Sequence, residues 1–420
     1  MTQIGEKAFF GCKGLADENG YVIYRNKLYS ICSHNGAMVI PDGVTEIGAS
    51  AFSGCIHLKE IHIPDSVTQI GEDAFLGCEG LADENGYVII RNKLYSSFSR
   101  DIVAVIPEGV TAIAGAVFEK RIDLTEIHIP DSLREIGASA FFGCTSLTEI
   151  HIPDGVVKIG ESAFPGCKSL KEIHIPASVK QIGVAAFAGC TSLSEIHIPD
   201  EVEEIGAVAF SGCTSLTEIC IPAGVTEIEE SIFSYCKNLK KIHIPDSVKR
   251  IRNGAFGSCT SLSEIHIPNG ITEIGDSVFS NCESLSEIHI PDSVTEIGDS
   301  AFSDCKSLSE IHIPDGVMEI GNWMFNGCRS LSEIRIPDSV TRIGKRAFSG
   351  CISLRKIDIP ESVVQIGPGA FKSCPLLEIH CPPGSYAKQY IEANYSHRKA
   401  RIKSVDIGTV FPDEGYHPHE

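Results

Sequence analysis

LSEIHIPDSVTEIGDSAFSDCKS, residues 285–307, is the unit that the rest of the chain copies. Aligned on its Ile-Pro step, the chain places prolines at Pro107, Pro130, Pro153 and Pro176, and onward through Pro291 to Pro360, at intervals of 23 residues. A fixed period of this size marks an architecture of stacked coils. Within the unit, Ile288 and Ile290 alternate with Glu287 and His289, the pattern of a short strand with one buried and one wet face. Pro291 has no N–H to give a ladder, and Asp292 and Ser293 favour turns, so the strand stops there. Val294 and Ile297 then face inward, and Gly298 permits a second bend. Ala301, Phe302 and Cys305 recur at one-turn spacing, which predicts a short helical or 3₁₀ segment.

One coil cannot hide these side chains, but an identical coil above and below covers them. The expected fold is therefore a repeat solenoid. Its coils have a parallel strand ladder on one face and short helical, 3₁₀ or extended segments on the other; a right-handed leucine-rich-repeat coil is what the resemblance given below implies. About 15 coils at ~4.8 Å would give a rod of roughly 70 Å, a single elongated domain over 1–382. Its opening half-repeat, 1–12, matches later coils in mid-repeat: Ile4, Gly5, Ala8, Phe9 and Cys12 correspond to Ile70, Gly71, Ala74, Phe75 and Cys78. Such an edge is an association liability, so the chain is expected to be a monomer unless that edge pairs, and to derive from a longer precursor.

Two near-identical insertions, about 13–37 and 79–103, interrupt the period, with KGLADENGYVIYRNKLYS answered by EGLADENGYVIIRNKLYS. Each predicts a hairpin-like pair of extended segments beside the stack, with Tyr24, Tyr29, Tyr87 and Tyr95 either shielding its edge or meeting a ligand. After 382 the period breaks. A capping helix is expected over 383–396, where Tyr386, Tyr390, Ile391 and Tyr395 recur at helical spacing, and a strand and tail over 397–420.

The formal charge of −20 argues against nucleic acid, whose affinity rests on Lys and Arg neutralising phosphates. No apolar run is long enough for membrane insertion as a helix, and no leader is visible in MTQIGEKAFFGCKG. Of the 17 cysteines, most hold one repeat position from Cys12 to Cys374, and no Cys-x-x-Cys pair occurs. The thiols are expected to be buried and free, Cys220 excepted, which should face solvent.

The pattern Leu-x-x-Ile-x-Ile-Pro-x-x-Val-x-x-Ile-Gly-x-x-Ala-Phe-x-x-Cys, the Asp-Glu-Asn-Gly-Tyr-Val-Ile insertions and the ending CPPGSYAKQYIEAN resemble the BspA-like, or Treponema-pallidum-type, leucine-rich repeat family. The resemblance implies a bacterial protein, often surface-exposed, several members being regarded as adhesins. It implies an extracellular or cell-surface location, with cytoplasmic as the alternative, and a protein or glycan partner. It carries no catalytic residues to transfer.

Candidate binding residues lie on the outward positions of the strand, where copies line up into two columns. They are Glu126, His128, Glu149, His151, Glu172, His174, Glu195, His197, Glu264, His266, Glu287, His289, Glu310 and His312. Three uses compete for this face: plain solvation of a sheet surface, contact with a macromolecule, and a response to pH or divalent metal. A flat ladder lacks the closed geometry of a dedicated metal site, so no metal or cofactor is assigned. Protonation of the imidazoles would take the face from strongly acidic to near neutral. Near-identical coils repeat every group and single out none, so no catalytic residue is expected. Trp323 and Met324 depart from the repeat: Met324 is expected in the core, and Trp323 outside as a possible ligand anchor. The reading is a macromolecular binding module, probing partners through the sheet face or the insertions, with a ligand-free structural spacer as the alternative.

Overall fold

The computed structural model describes residues 13–32, 36–395 and 403–406. The opening half-repeat at 1–12 and the tail at 407–420 lie outside the described residues. The chain forms two compact units, Met1–Cys213 and Thr214–Glu420. Each is a stack of coils of the 23-residue repeat.

A coil offers two strand positions, not the single one that the sequence suggested. The first is the Glu-x-His segment: Glu172–His174 pairs in parallel with Glu195–His197, so that Glu, Ile and His each stand above their own copy. The second follows the Pro-Asp-Ser turn and is two residues long. Gln181–Ile182 pairs with Glu204–Ile205, and in the other unit Glu273–Ile274 pairs with Glu296–Ile297. Strands this short leave no alternation to read, which is why periodicity did not reveal them.

The far side of the coil is a succession of turns, and the expected helical or 3₁₀ segment at Ala301–Phe302–Cys305 does not form. Ser300 and Asp304 both sit at φ 58°, in the left-handed region, which breaks any helical run. Main-chain groups there bond to the next coil instead: the Phe279 N–H donates to the Ala301 carbonyl at 2.8 Å, and the Ser277 N–H to the Asp299 carbonyl at 2.8 Å. One-turn spacing of inward side chains is thus met by consecutive turns, with the hydrogen bonds running along the stack.

Inside lie columns of like residues. The rings of Phe256, Phe279 and Phe302 stack at centroid spacings of 5.5 Å, and all are buried. Thiols of the cysteine column from Cys259 to Cys374 donate to the main chain one coil back, as Cys305 Sγ does to the Phe279 carbonyl at 3.1 Å. Met324 fills the alanine position of its coil and is fully buried. Gly298 is required by close approach, since a Cβ there would lie 2.5 Å from the Asp276 nitrogen.

The insertions are built into the stack and do not stand beside it. Tyr21–Tyr24 and Lys27–Ile31 form an antiparallel hairpin, and Lys27–Ile31 continues into the second ladder beside Glu46–Ile47. Tyr87–Ile90 and Lys93–Ser97 repeat this against Ala112–Ile113. Both hairpins turn on Arg-Asn pairs with positive φ, at Arg25–Asn26 and Arg91–Asn92, the twist that two-residue hairpins need. The insertion's last strand, Val103–Val105, then joins the first ladder against Glu126–His128.

Near the C-terminus the helix Tyr386–Tyr395 buries Ala387 and Ile391 and ties down with the Tyr390 hydroxyl, which donates to the Gly367 carbonyl at 2.9 Å. Beyond it Lys403–Asp406 pairs in parallel with Glu378–Cys381.

Candidate functional site

Strand alternation sends the isoleucines of the first ladder inward and its glutamates and histidines out. In the first unit Glu149, His151, Glu172, His174, Glu195 and His197 are all exposed. Glu126 is half-buried and pairs with His128, Oε1 to Nε2 at 3.0 Å. The rings of His151 and His174 lie parallel, 6.3 Å apart. At the coils that carry insertions, apolar residues replace the polar pair. Val39 stands in register with His62, and Val103 and Val105 with Glu126 and His128. Val39 and Val105 are 63% and 59% exposed. The signal for this apolar break was present in GAMVIP and IVAVIP, where other coils read TEIHIP.

In the second unit the same face sinks into a groove of about 730 Å³, running from Glu218 to His312. Its floor is Ile242, Ile265, Ile288 and Ile311, and its walls are the Glu and His columns. Glu264, His266, Glu287, His289, Glu310 and His312 are exposed and carry no hydrogen bond or ion pair among the described residues. Lys241 stands at one end, and at the other a hollow of about 230 Å³ brings in Arg335 and Lys356, the latter paired with Asp358 at 2.9 Å.

Regular strand geometry is interrupted at 264–266, 287–289 and 310–312, as it is at 149–151 in the first unit, yet main-chain bonds between the coils continue: the Ser286 N–H donates to the Ser263 carbonyl at 3.4 Å, the Ser309 N–H to the Ser286 carbonyl at 3.1 Å, and His266 bridges His289. Regular strands resume with Glu333–Arg335 against Lys356–Asp358.

The second ladder of this unit carries another groove, of about 720 Å³, with Glu273, Glu296, Glu319, Asp276 and Asp299 around it. Here the Asn and Asp side chains are employed. Asn253 Oδ1 accepts the Asp276 N–H at 2.8 Å, Asp276 Oδ1 accepts the Asp299 N–H at 2.7 Å, and Asp299 Oδ1 accepts the Asn322 N–H at 2.7 Å. Glu227 is clasped by Arg250 and by Arg252, the latter at 2.6 Å. Partial burial pushes the Glu227 carboxyl up, but hydrogen bonds from the two guanidiniums outweigh it and hold the group below its ordinary range. The sequence reading missed this ladder; its trace is the recurrence of Asn253, Asp276, Asp299 and Asn322 at one repeat position.

The aromatic candidates separate. Tyr87 and Tyr95 are buried, at 3% and 2% exposure, which corrects the expectation that they could meet a ligand: the hairpin strands are layers of the stack, so these rings face its core. Tyr24 is exposed with the Arg25 guanidinium 5.3 Å from its ring centre, and Tyr29 is half-buried under Lys27. Trp323 is half-buried in the turn segment, away from the first ladder, with Lys345 Nζ 5.2 Å from its ring centre. None of these rings joins the groove. Cys220 is exposed, in register with His243. The thiol of Cys282 is enclosed, and burial pushes it up to about 12. Among the described residues no three His, Cys, Asp or Glu side chains converge as a metal site would need.

The family model described as BspA type leucine rich repeat region (6 copies) matches residues 1–81, 22–113, 88–204, 180–306 and 272–391. The chain belongs to the BspA-type leucine-rich repeat family. A leucine-rich repeat protein from Bacteroides ovatus is similar at 29% identity and a TM-score of 0.56, over 96% of this chain and 87% of that one. A leucine-rich cell surface protein from Faecalibacterium prausnitzii is 30% identical over 87% of this BspA-type chain and 92% of its own, with a TM-score of 0.45. No curated protein matches the sequence. Among the described residues, no helix of this BspA-type solenoid is long and apolar enough to cross a membrane.

Proposed function

We propose that this chain is a binding module for another macromolecule, a protein or a glycan, working outside the cell or at its surface, with the first-ladder face as its contact surface. One observation carries the reading. Glu264, Glu287 and Glu310 stand one above another beside His266, His289 and His312, over a groove of about 730 Å³, and among the described residues none of these six side chains has a hydrogen-bond or ion-pair partner. Stacked like charges repel, by roughly 0.8 kcal/mol per pair at ~5 Å even in water, so such a column works against the fold unless something else meets it. The repetition favours many moderate contacts along a surface, and it supplies no point where unlike groups converge for catalysis.

The test compares capture of extracellular-matrix glycoproteins and of bacterial-surface glycans by the intact chain and by a variant with these six residues changed to Ser. A loss of tenfold or more in affinity for whichever ligand the intact chain takes is expected. Undiminished capture would remove the sheet face and direct attention to the insertions. Capture by neither chain would favour a spacer.

A further inference from the structure

We infer that Asn269 is a site of spontaneous covalent change: in the folded chain it loses its side-chain nitrogen as ammonia, through a cyclic imide closed by Gly270, and becomes isoaspartate or aspartate. Water is the only co-reactant.

Asp246, Asp292, Asp315 and Asp338 hold the position after the proline of their coils, and Asn269 stands among them as the amide, followed by Gly270. The main-chain nitrogen of the next residue attacks an asparagine side-chain carbon most readily when that residue is glycine, which has no Cβ to obstruct the approach. Six Asn-Gly pairs occur, at 19–20, 35–36, 85–86, 253–254, 269–270 and 326–327, so the dipeptide alone does not choose between them.

The fold does, because the attacking nitrogen must shed its proton, and an N–H that is already donating is held back from doing so. In five of the pairs the glycine N–H is engaged. Gly20 and Gly86 donate to the Asp17 and Asp83 carbonyls at 3.0 Å, Gly36 to His57 at 3.2 Å, Gly254 to Asp276 at 2.8 Å and Gly327 to Ser349 at 2.8 Å. Two of the side chains are tied as well: Asn253 Oδ1 accepts the Asp276 N–H at 2.8 Å, and Asn326 Nδ2 donates to the Ser349 carbonyl at 3.1 Å. Among the described residues, neither the Gly270 N–H nor the exposed Asn269 side chain has a hydrogen-bond partner.

Charge favours the same pair. The Lys249 ammonium donates to the Asp246 carbonyl at 3.3 Å and sits so near Gly270 that a Cβ there would lie 2.7 Å from Nζ. A cation in that place stabilises the nitrogen as it becomes anionic. At Gly327 the nearest neighbour of such a Cβ is the Asp304 carboxylate, which opposes the same step.

The bond from Gly270 N to Asn269 Cγ forms, the Cγ–Nδ2 bond breaks, and Nδ2 leaves as ammonia with the proton that Gly270 gave up. Water then opens the ring on either side of the nitrogen. Release from Cγ gives aspartate, the residue of the other coils. Release from the Asn269 main-chain carbonyl gives isoaspartate, whose extra methylene enters a turn closed by the Ile271 N–H on the Pro268 carbonyl at 3.1 Å. Either product adds a carboxylate to the coil that carries Glu264 and His266.

The test incubates the full folded chain at pH 8 and 37 °C and digests samples with a glutamyl-specific protease, which releases 265–273 as one peptide. Tandem mass spectrometry follows the mass gain at each asparagine, and chromatography separates isoaspartate from aspartate. Asn269 is expected to convert at least tenfold faster than Asn19, Asn85, Asn253 or Asn326, with isoaspartate among its products. Lys249→Gln, verified as folded by circular dichroism, is expected to slow it at least threefold. In guanidinium chloride the five rates should converge to within threefold. Conversion of Asn269 no faster than the other four in the folded chain would overturn the proposal. So would a ranking that persists in the denaturant, which would trace it to neighbouring residues, or aspartate without isoaspartate, which would mean direct hydrolysis and no ring. An unchanged rate in K249Q would overturn the part given to the ammonium.

Discussion

Two grooves of nearly equal volume, about 730 and 720 Å³, run along different faces of the second unit, and both are lined with carboxylates. In the second-ladder groove the Asn and Asp side chains are spent on the fold. Glu273–Ile274 and Glu296–Ile297 are paired strands, and carboxylate and amide oxygens at 253, 276 and 299 each accept the main-chain N–H one coil on. In the first-ladder groove the Glu and His side chains from Glu264 to His312 make no such bond among the described residues. Acidity alone therefore does not mark a binding surface in this molecule. What distinguishes the two faces is that the Asn and Asp side chains beside the second ladder bond the main chain of the next coil.

Substitutions can break or sharpen that contrast. Phe302→Ala removes a fully buried ring from the stack that supports both grooves, and is expected to cost about 3–5 kcal/mol of unfolding free energy in urea titration. If the two faces were energetically separable at the core, the loss would be far smaller. Next comes a matched pair. Asp299→Ala strips the acceptor from the Asn322 N–H and from the Asn322 side-chain amide, at 2.7 and 2.9 Å, and is expected to cost about 1–2 kcal/mol. Glu287→Ala, on the other face, should fall within about ±0.5 kcal/mol in the same titration. Equal costs for the two would erase the distinction.

The smallest effect concerns pH. Burial opposes ionisation of Glu227, but its two guanidinium partners prevail and its carboxyl is held below the ordinary value of 4.5. A carboxyl depressed in the folded state stabilises the fold above its unfolded value, and that contribution is lost as pH falls through the folded value. The urea midpoint of Glu227→Gln should therefore lie below that of the unaltered chain at pH 7, with the gap closing toward pH 3. A gap that persists at pH 3 would show that the clasp is not the cause.

Much of this molecule is legible in one line of sequence, and the illegible part has a definite origin. The 23-residue period, the inward isoleucines, the phenylalanine and thiol columns and the buried Met324 all follow from hydrophobic pattern, because stacking repeats whatever one coil dictates. The far side of the coil was misread as helical since one-turn spacing is shared by a helix and by serial turns, and only the positive φ of Ser300 and Asp304 decides between them. Tyr87 and Tyr95 were placed at the surface because an insertion looks like a decoration until its strand is found inside a ladder.

The column of thiols gives the molecule a shelf life governed by kinetics. While the coils are closed, Cys259, Cys282 and Cys305 are fully buried, each bonded to the main chain one coil back, and burial keeps them as neutral, unreactive sulfhydryls. Once a few coils part, neighbouring sulfurs emerge together with ordinary acidity, and each becomes the closest oxidisable partner of the next. In an oxidising medium an opening event is then captured by cross-linking before the coils can rejoin. How long a preparation lasts in air is set by how often the stack opens, a rate, and only indirectly by how stable it is at equilibrium.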